Sequence, residues 1–205
     1  QIAYETGRAA MEMVRKGITA RQIITKQSIE NAITVLMGIG GSTNAIMHLQ
    51  AIHKEAGLGL LPLETFGIFS RNIPQVAPVY PASPYDMVDF YEAGGVPAVM
   101  IELKDWLHTD CMTVSGRTVE ENLNQELETT RREVIKTAKE PFHPNGGVSV
   151  LTGNMAPLGA VVKPAAIPEH LLRFTGTANV YQSEQEACAA ILNGEVKPGT
   201  MVVLR

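Results

Sequence analysis

Cysteine is scarce in this sequence. Cys111 and Cys188 are the two present, 77 residues apart, too few for a disulfide framework and neither part of a C-x-x-C pair. The N-x-[ST] glycosylation signal does not occur. Basic runs are equally short: none exceeds a pair (Arg15-Lys16, Arg131-Arg132), so there is no electrostatic footprint for nucleic acid or an anionic membrane. The formal charge is only -4 and is not segregated, with 8 Lys and Arg against 11 Asp and Glu in residues 1–110 and 9 against 10 in residues 111–205. No apolar stretch approaches the roughly 18 residues of a membrane span. Asp is missing from residues 111–205, which argues against a carboxylate-rich site for a hard cation confined to that part. What remains is 205 residues with 45% hydrophobic and 19% charged side chains, the proportions of a folded rather than a disordered chain. The expectation is a soluble, cytoplasmic, mixed α/β protein of one large domain or parts of two, with no nucleic-acid or membrane partner.

Residues 1–60 read as helical. Tyr4, Ala10, Met11 and Val14 suggest a helix from the outset, and the chain closes on the β-rich run Thr200–Arg205, so an internal segment of a longer polypeptide is expected. Thr19 and Gln22 have capping-box spacing. Ile29, Ala32, Ile33 and Leu36 fall at i, i+3, i+4 and i+7, one face of a helix that Gly38-Ile39-Gly40-Gly41 should stop. Ser42-Thr43-Asn44 offers N-cap side chains for the next helix, with Ala45, Leu49, Ile52 and Ala56 on its inner face. Ser83-Pro84-Tyr85-Asp86 reads as a helix start with Ser83 at the N-cap, closed by Gly94-Gly95; Val96 to Met100 fits strand or helix equally. Thr118 and Glu121 open a polar helix candidate over residues 118–139. The character then changes at Pro141–Gly147, beyond which β-branched runs at 148–151, 160–163, 180–181 and 201–204 surround one helix capped by Ser183 and ended by Asn193-Gly194. A boundary near residue 140 therefore separates a mainly helical piece from a β-rich one.

The most distinctive stretch is Gly38 to Asn44. It lacks the third glycine of a dinucleotide fingerprint and the lysine of a P-loop, and a helix rather than a strand precedes it, so both nucleotide readings fail. A glycine turn feeding a helix N-terminus suits a carboxylate or phosphate, while the same glycines would serve a tightly packed helix–helix turn. Spacing alone favours the packing turn. His48 and His53 diverge by about 140° on one helix and make a poor metal pair; His48 reads as a hydrogen-bonded or partly buried structural histidine. Cys188, among alanines, reads as a packing residue, and nothing near Cys111 marks it as a nucleophile. Gly153-Asn154-Met155-Ala156-Pro157-Leu158-Gly159 fits either a sharp structural turn or a loop aimed at a ligand.

Six stretches, in order, carry a resemblance: Ile39–Ala45 with His48-Leu49 and Ala51-Ile52, Tyr91–Val99, Thr113–Thr118, Gly153–Pro157, Gly159–Lys163 and Gly199–Arg205. Together they resemble the dihydroxy-acid dehydratase / phosphogluconate dehydratase family, most of all its dihydroxy-acid dehydratases. Leu158 stands where that pattern has Glu and Thr177 where it has Pro, departures that bear on subfamily.

The resemblance implies an α/β fold: the mainly helical end of a larger α/β domain in residues 1–140, then, in 141–205, the first half of a swivelling β/α, β-barrel-like domain. It implies a parent hydro-lyase of branched-chain amino-acid biosynthesis that converts a 2,3-dihydroxy carboxylic acid to a 2-keto acid and acts as a homodimer or higher homo-oligomer. An iron–sulfur cluster and Mg²⁺ are the implied cofactors, with their ligands and the catalytic base outside this chain; no catalytic and no metal residue maps here. Ser42, Thr43 and Asn44 are the candidate substrate-binding residues. A sugar-acid dehydratase (aldonate or phosphogluconate) of the same family is the rival, disfavoured because an evident set of extra polar residues for a long polyol is missing. A non-catalytic anion-binding or scaffolding module is the reading of another class.

Overall fold

The computed structural model describes residues 1–126 and 129–205. It is mixed α/β and mainly helical, and it divides into two compact units, Gln1–Ala166 and Ile167–Arg205. The family of segments expected to be helical over residues 1–60 appears as α1 (Ile2–Lys16), the single turn α2 (Ala20–Ile23), α3 (Lys26–Ile39) and α4 (Asn44–Glu55). Thr19 N–H donates to Gln22 Oε1 at 2.7 Å, half of the expected capping box. One further capping box was not anticipated: Thr25 Oγ1 accepts from Ser28 N–H at 3.2 Å and Ser28 Oγ accepts from Thr25 N–H at 2.9 Å, which starts α3.

α3 is the axis of the first unit. Ile29, Ile33, Leu36 and Met37 are buried along it, against Phe66 of α5 (Leu63–Asn72), Val99 of α7 (Gly95–Glu102), Leu103 and the extended buried segment Ile73–Ala77. Val134, Ile135 and Val148 close the same core. Val96 to Met100, open between strand and helix in the sequence, is helical within α7, which Gly94 starts with φ 102°. That positive φ is a position glycine occupies without strain.

Three local expectations shift. The buried positions of α4 are Ile46 and His53, not Ile52, which is 42% exposed. Ala45 and Leu49 pack against the core as expected, and His53 Nδ1 reaches the carbonyl of Gly59 at 3.0 Å, giving a buried polar group its partner. Ser83 is not a helix cap. Its hydroxyl donates to Pro78 O at 2.7 Å, and Asp86 caps α6 (Met87–Glu92) instead, accepting from Val88 N–H and Asp89 N–H at 2.8 and 3.0 Å. The polar helix expected over 118–139 shrinks to α8 (Val119–Leu123). Its capping box is present, with Thr118 Oγ1 accepting from Glu121 N–H at 3.1 Å. Further on, the backbone turns to cross-chain bonds such as Lys136 N–H to Val76 O at 2.9 Å, and the adjacent pair Val134-Ile135 is buried. Leu127 and Glu128, within that expected helix, lie outside the described residues.

The β-rich character after residue 147 is present. β1 (Ser149–Gly153) pairs antiparallel with β2 (Ala156–Val162) across the turn Asn154-Met155, and Val150 and Val161 pack on the core beside α5. These strands belong to the first unit. In the second, β3 (Thr177–Tyr181) and β4 (Thr200–Leu204) are parallel neighbours joined through α9 (Glu184–Leu192), a β–α–β arrangement. Ser183 Oγ caps α9, accepting from Glu186 N–H at 3.2 Å. Among the described residues, no helix is long and apolar enough to cross a membrane.

Candidate functional site

The glycine turn divides cleanly by residue. Gly40 has φ 59°, and Gly41 N–H closes back on Leu36 O at 3.1 Å, so α3 ends in a left-handed glycine. The last carbonyls of the helix are then used by distant segments. Gly38 O accepts from Val76 N–H and Ala77 N–H at 2.9 and 3.1 Å, and Met37 O accepts from Gly147 N–H at 3.0 Å. Gly40 and Gly147 meet backbone to backbone, with the buried Gln75 side chain alongside; a methyl group on Gly147 would collide with both neighbours, and one on Gly40 with the Gln75 amide. A methyl on Gly38 would strike Leu103 Cδ1 at 2.5 Å. The glycines are thus accounted for by close packing.

Ser42, Thr43 and Asn44 point the other way and are exposed. Ser42 Oγ accepts from Asn44 N–H at 3.2 Å, while Ala45 N–H and Ile46 N–H return to Ser42 O and Thr43 O at 3.0 and 3.2 Å. Among the described residues, the side chains of Thr43 and Asn44 take part in no hydrogen bond. The turn therefore presents neutral polar side chains at the positive end of the 12-residue α4. It can offer hydrogen bonds to an anion without a competing cation, which is the chemistry a carboxylate needs.

The other sequence candidates separate from this turn. His48 is exposed, contrary to its expected partial burial; the buried histidine is His53, at 6% exposure. Cys188 is exposed rather than packed, because the inner positions of α9 are Ala187 and Ala190. Cys111 is half-buried, and burial, then the Asp110 carboxylate, push its thiol pKa up, the opposite of what a nucleophile requires. The Gly153–Gly159 stretch is a hairpin whose Met155 and Leu158 stand in solvent at 84% and 94% exposure.

Sequence reasoning passed over two polar anchors. Asn31, buried on α3, grips the backbone of His108 twice, through Nδ2 to O at 3.0 Å and N–H to Oδ1 at 2.8 Å. The His108 ring adds Nε2 to Glu30 Oε2 at 2.7 Å. Arg131 joins Asp89, Glu92 and Glu133 at 3.2, 3.0 and 3.1 Å. Hydrogen bonds to Glu133 and then Asp89 raise the guanidinium pKa, and the Glu133 carboxyl is lowered by its own backbone N–H and then by Arg131. Arg132 pairs with Glu102 beside it. An asparagine within an apolar helical face was the available signal for the first anchor; nothing local marks the second. Both fasten the scaffold.

Among the described residues, no three His, Cys, Asp or Glu side chains gather as a metal site. Cys111 and Cys188 belong to different compact units. The donors among the described residues fit neither an iron–sulfur cluster nor Mg²⁺.

Comparison with known proteins adds the following. Family models described as dihydroxy-acid/6-phosphogluconate dehydratase N-terminal and C-terminal match residues 1–122 and 133–205. Proteins named dihydroxy-acid dehydratase align with all of this chain, at 44% identity in Thermodesulfovibrio yellowstonii and 47% in Methanosarcina barkeri. One named dihydroxy-acid dehydratase 1, from Nocardia farcinica, is 45% identical over 99% of the chain. The chain spans 36–37% of the length of these relatives.

Proposed function

The chain belongs to the dihydroxy-acid/6-phosphogluconate dehydratase family, and on that premise we propose that it is part of a longer hydro-lyase acting on a 2,3-dihydroxy carboxylic acid. The observation that carries the substrate class is the name shared by relatives 44–47% identical along this chain. The reaction removes a proton from C2 and hydroxide from C3; the resulting enol tautomerises to the 2-keto acid, with water as the second product. The parent is assigned to branched-chain amino-acid biosynthesis in the cytoplasm, as a homo-oligomer. An iron–sulfur cluster and Mg²⁺ belong to the same proposal, held by residues outside these 205.

The part played by this chain is binding and support. Ser42, Thr43 and Asn44 would hydrogen-bond the substrate carboxylate, a group shared by every substrate of the reaction, while Gly38, Gly40 and Gly41 hold their turn against the core. Exposure of all three side chains and the free donors on Thr43 and Asn44 support this role. A charge-assisted hydrogen bond is worth about 1.5–3 kcal/mol. Thr43→Val or Asn44→Leu in the complete enzyme should therefore lower kcat/KM by about 10- to 100-fold with little change in melting temperature. Variants that melt early but keep normal kinetics when folded would make the turn purely structural. Turnover of 2,3-dihydroxyisovalerate by the complete enzyme supports the substrate class, and preference for 6-phosphogluconate replaces it with the sugar-acid reading. The 205-residue chain by itself should turn over neither, even after iron–sulfur reconstitution.

A further inference from the structure

α1 is amphipathic, yet none of its residues is buried. At about 100° per residue, Ala3, Tyr4, Gly7, Ala10, Met11 and Val14 fall within an arc of about 120°. The arc that adjoins it beyond Tyr4 carries Glu5, Arg8, Glu12, Arg15 and Lys16, which pair along the helix as Arg8–Glu5, Arg15–Glu12 and Lys16–Glu12. The apolar arc is not the side that faces the rest of the first unit. The facing flank bears Ala9, Glu12, Met13 and Lys16, which line a cleft of about 270 Å³ with Ile18 and Val114. The apolar arc itself is in water, with Tyr4, Met11 and Val14 at 70%, 54% and 72% exposure.

Gly7 sharpens the point. A glycine inside a helix weakens it relative to alanine, and a Cβ built there would touch nothing within 4 Å. Nothing among the described residues explains it. It lies in an open groove with Ala3, Tyr4 and Met11, bordered on one side by Arg8, Glu12 and Arg15, into which another backbone could come close. A contiguous apolar face of this kind marks an interaction surface.

We propose that this face is covered by another part of the same polypeptide, an apolar helix contributed by the portion of the parent that these residues do not include. The relatives supply the length: the chain spans 37% of them, leaving close to two-thirds of such a protein to pack somewhere. The occupant therefore presents aliphatic or small residues to Tyr4, Gly7 and Met11, and polar ones to the margin that carries Arg8, Glu12 and Arg15. The proposal rests on the reading of the chain as part of a longer dehydratase.

The test places one cysteine, Met11→Cys, in the 205-residue chain and in the complete parent, and measures its alkylation by iodoacetamide with site-resolved mass spectrometry. The expected result is rapid labelling in the chain and at least about 10-fold slower labelling in the parent. Gly7→Leu provides a second arm. It should leave the melting of the chain unchanged or slightly raised, and lower that of the parent by several degrees. Equal labelling in both contexts, with Gly7→Leu tolerated by the parent, overturns the proposal. So does sedimentation of the 205-residue chain as a dimer that Gly7→Leu dissociates, since the occupant would then be a second copy. Activity of the unmodified parent is read separately. Protection at position 11 without turnover of a dihydroxy acid keeps the docking surface and discards the proposed reaction; turnover without protection does the reverse.

Discussion

At the scale of single residues, environment overrides identity. The two cysteines have the same chemistry in isolation, yet one is exposed on α9 and the other half-buried beside Asp110. Burial and the neighbouring carboxylate both disfavour the Cys111 thiolate, so less of the reactive form exists at any given pH. Under native conditions near pH 8, iodoacetamide should modify Cys188 at least several-fold faster than Cys111, with the difference vanishing in denaturant. Mass-spectrometric time courses check this, and faster labelling of Cys111 would contradict the assigned environment. The histidines make the same point about what a sequence conceals. His48 and His53 are indistinguishable by type and share α4, and the buried one is the one whose ring reaches the Gly59 carbonyl. Asn31 is set 77 residues from its partner His108, a contact no local pattern encodes.

At the scale of elements, the end of α3 organises its surroundings, and its glycines are the part that cannot vary. Gly147 lies against the Gly40 Cα and the Gln75 amide, neither a flexible aliphatic tip that could swing away. Gly147→Ala should destabilise the first unit by about 1–3 kcal/mol, the usual cost of overpacking. Gly153→Ala, where a methyl meets nothing within 4 Å, should be close to neutral. Denaturant midpoints for the pair give the comparison, and equal midpoints would mean that the Gly40–Gly147 contact relaxes freely. The existence of α3, α4, α9 and all four strands was legible, because periodicity and capping residues are local signals. The loop Pro141–Gly147 was legible as a break but not as a packing element. Its role is set by Gln75 and Met37, which sit more than 60 residues earlier and announce nothing in sequence. The 118–139 helix failed for a related reason: a sound capping box starts α8, but beyond it Lys136 N–H bonds the Val76 carbonyl of a distant segment rather than a helical one.

At the scale of the whole molecule, apolar burial is shared unevenly between the two units. The continuous core, from Ile29 to Val148, lies entirely within residues 1–166. Within Ile167–Arg205 the buried residues are Ala187 and Ala190, while Val180, Ile191, Met201 and Leu204 are each 48–56% exposed. A unit of about 40 residues without disulfide or metal is at the lower limit of independent folding even with a full core. A two-stranded sheet also leaves unpaired backbone along both outer edges. The shorter unit of the 205-residue chain should therefore open first. Amide exchange in β3 and β4 should be faster than in α3 and α7 by at least about 100-fold, and on heating its signals should be lost before those of the first unit. In the complete parent, where further strands can pair with those edges, the same amides should become protected to the level of the core. Uniform protection across the 205-residue chain, lost in one cooperative transition, would mean instead that the short unit draws enough stability from its own β–α–β packing.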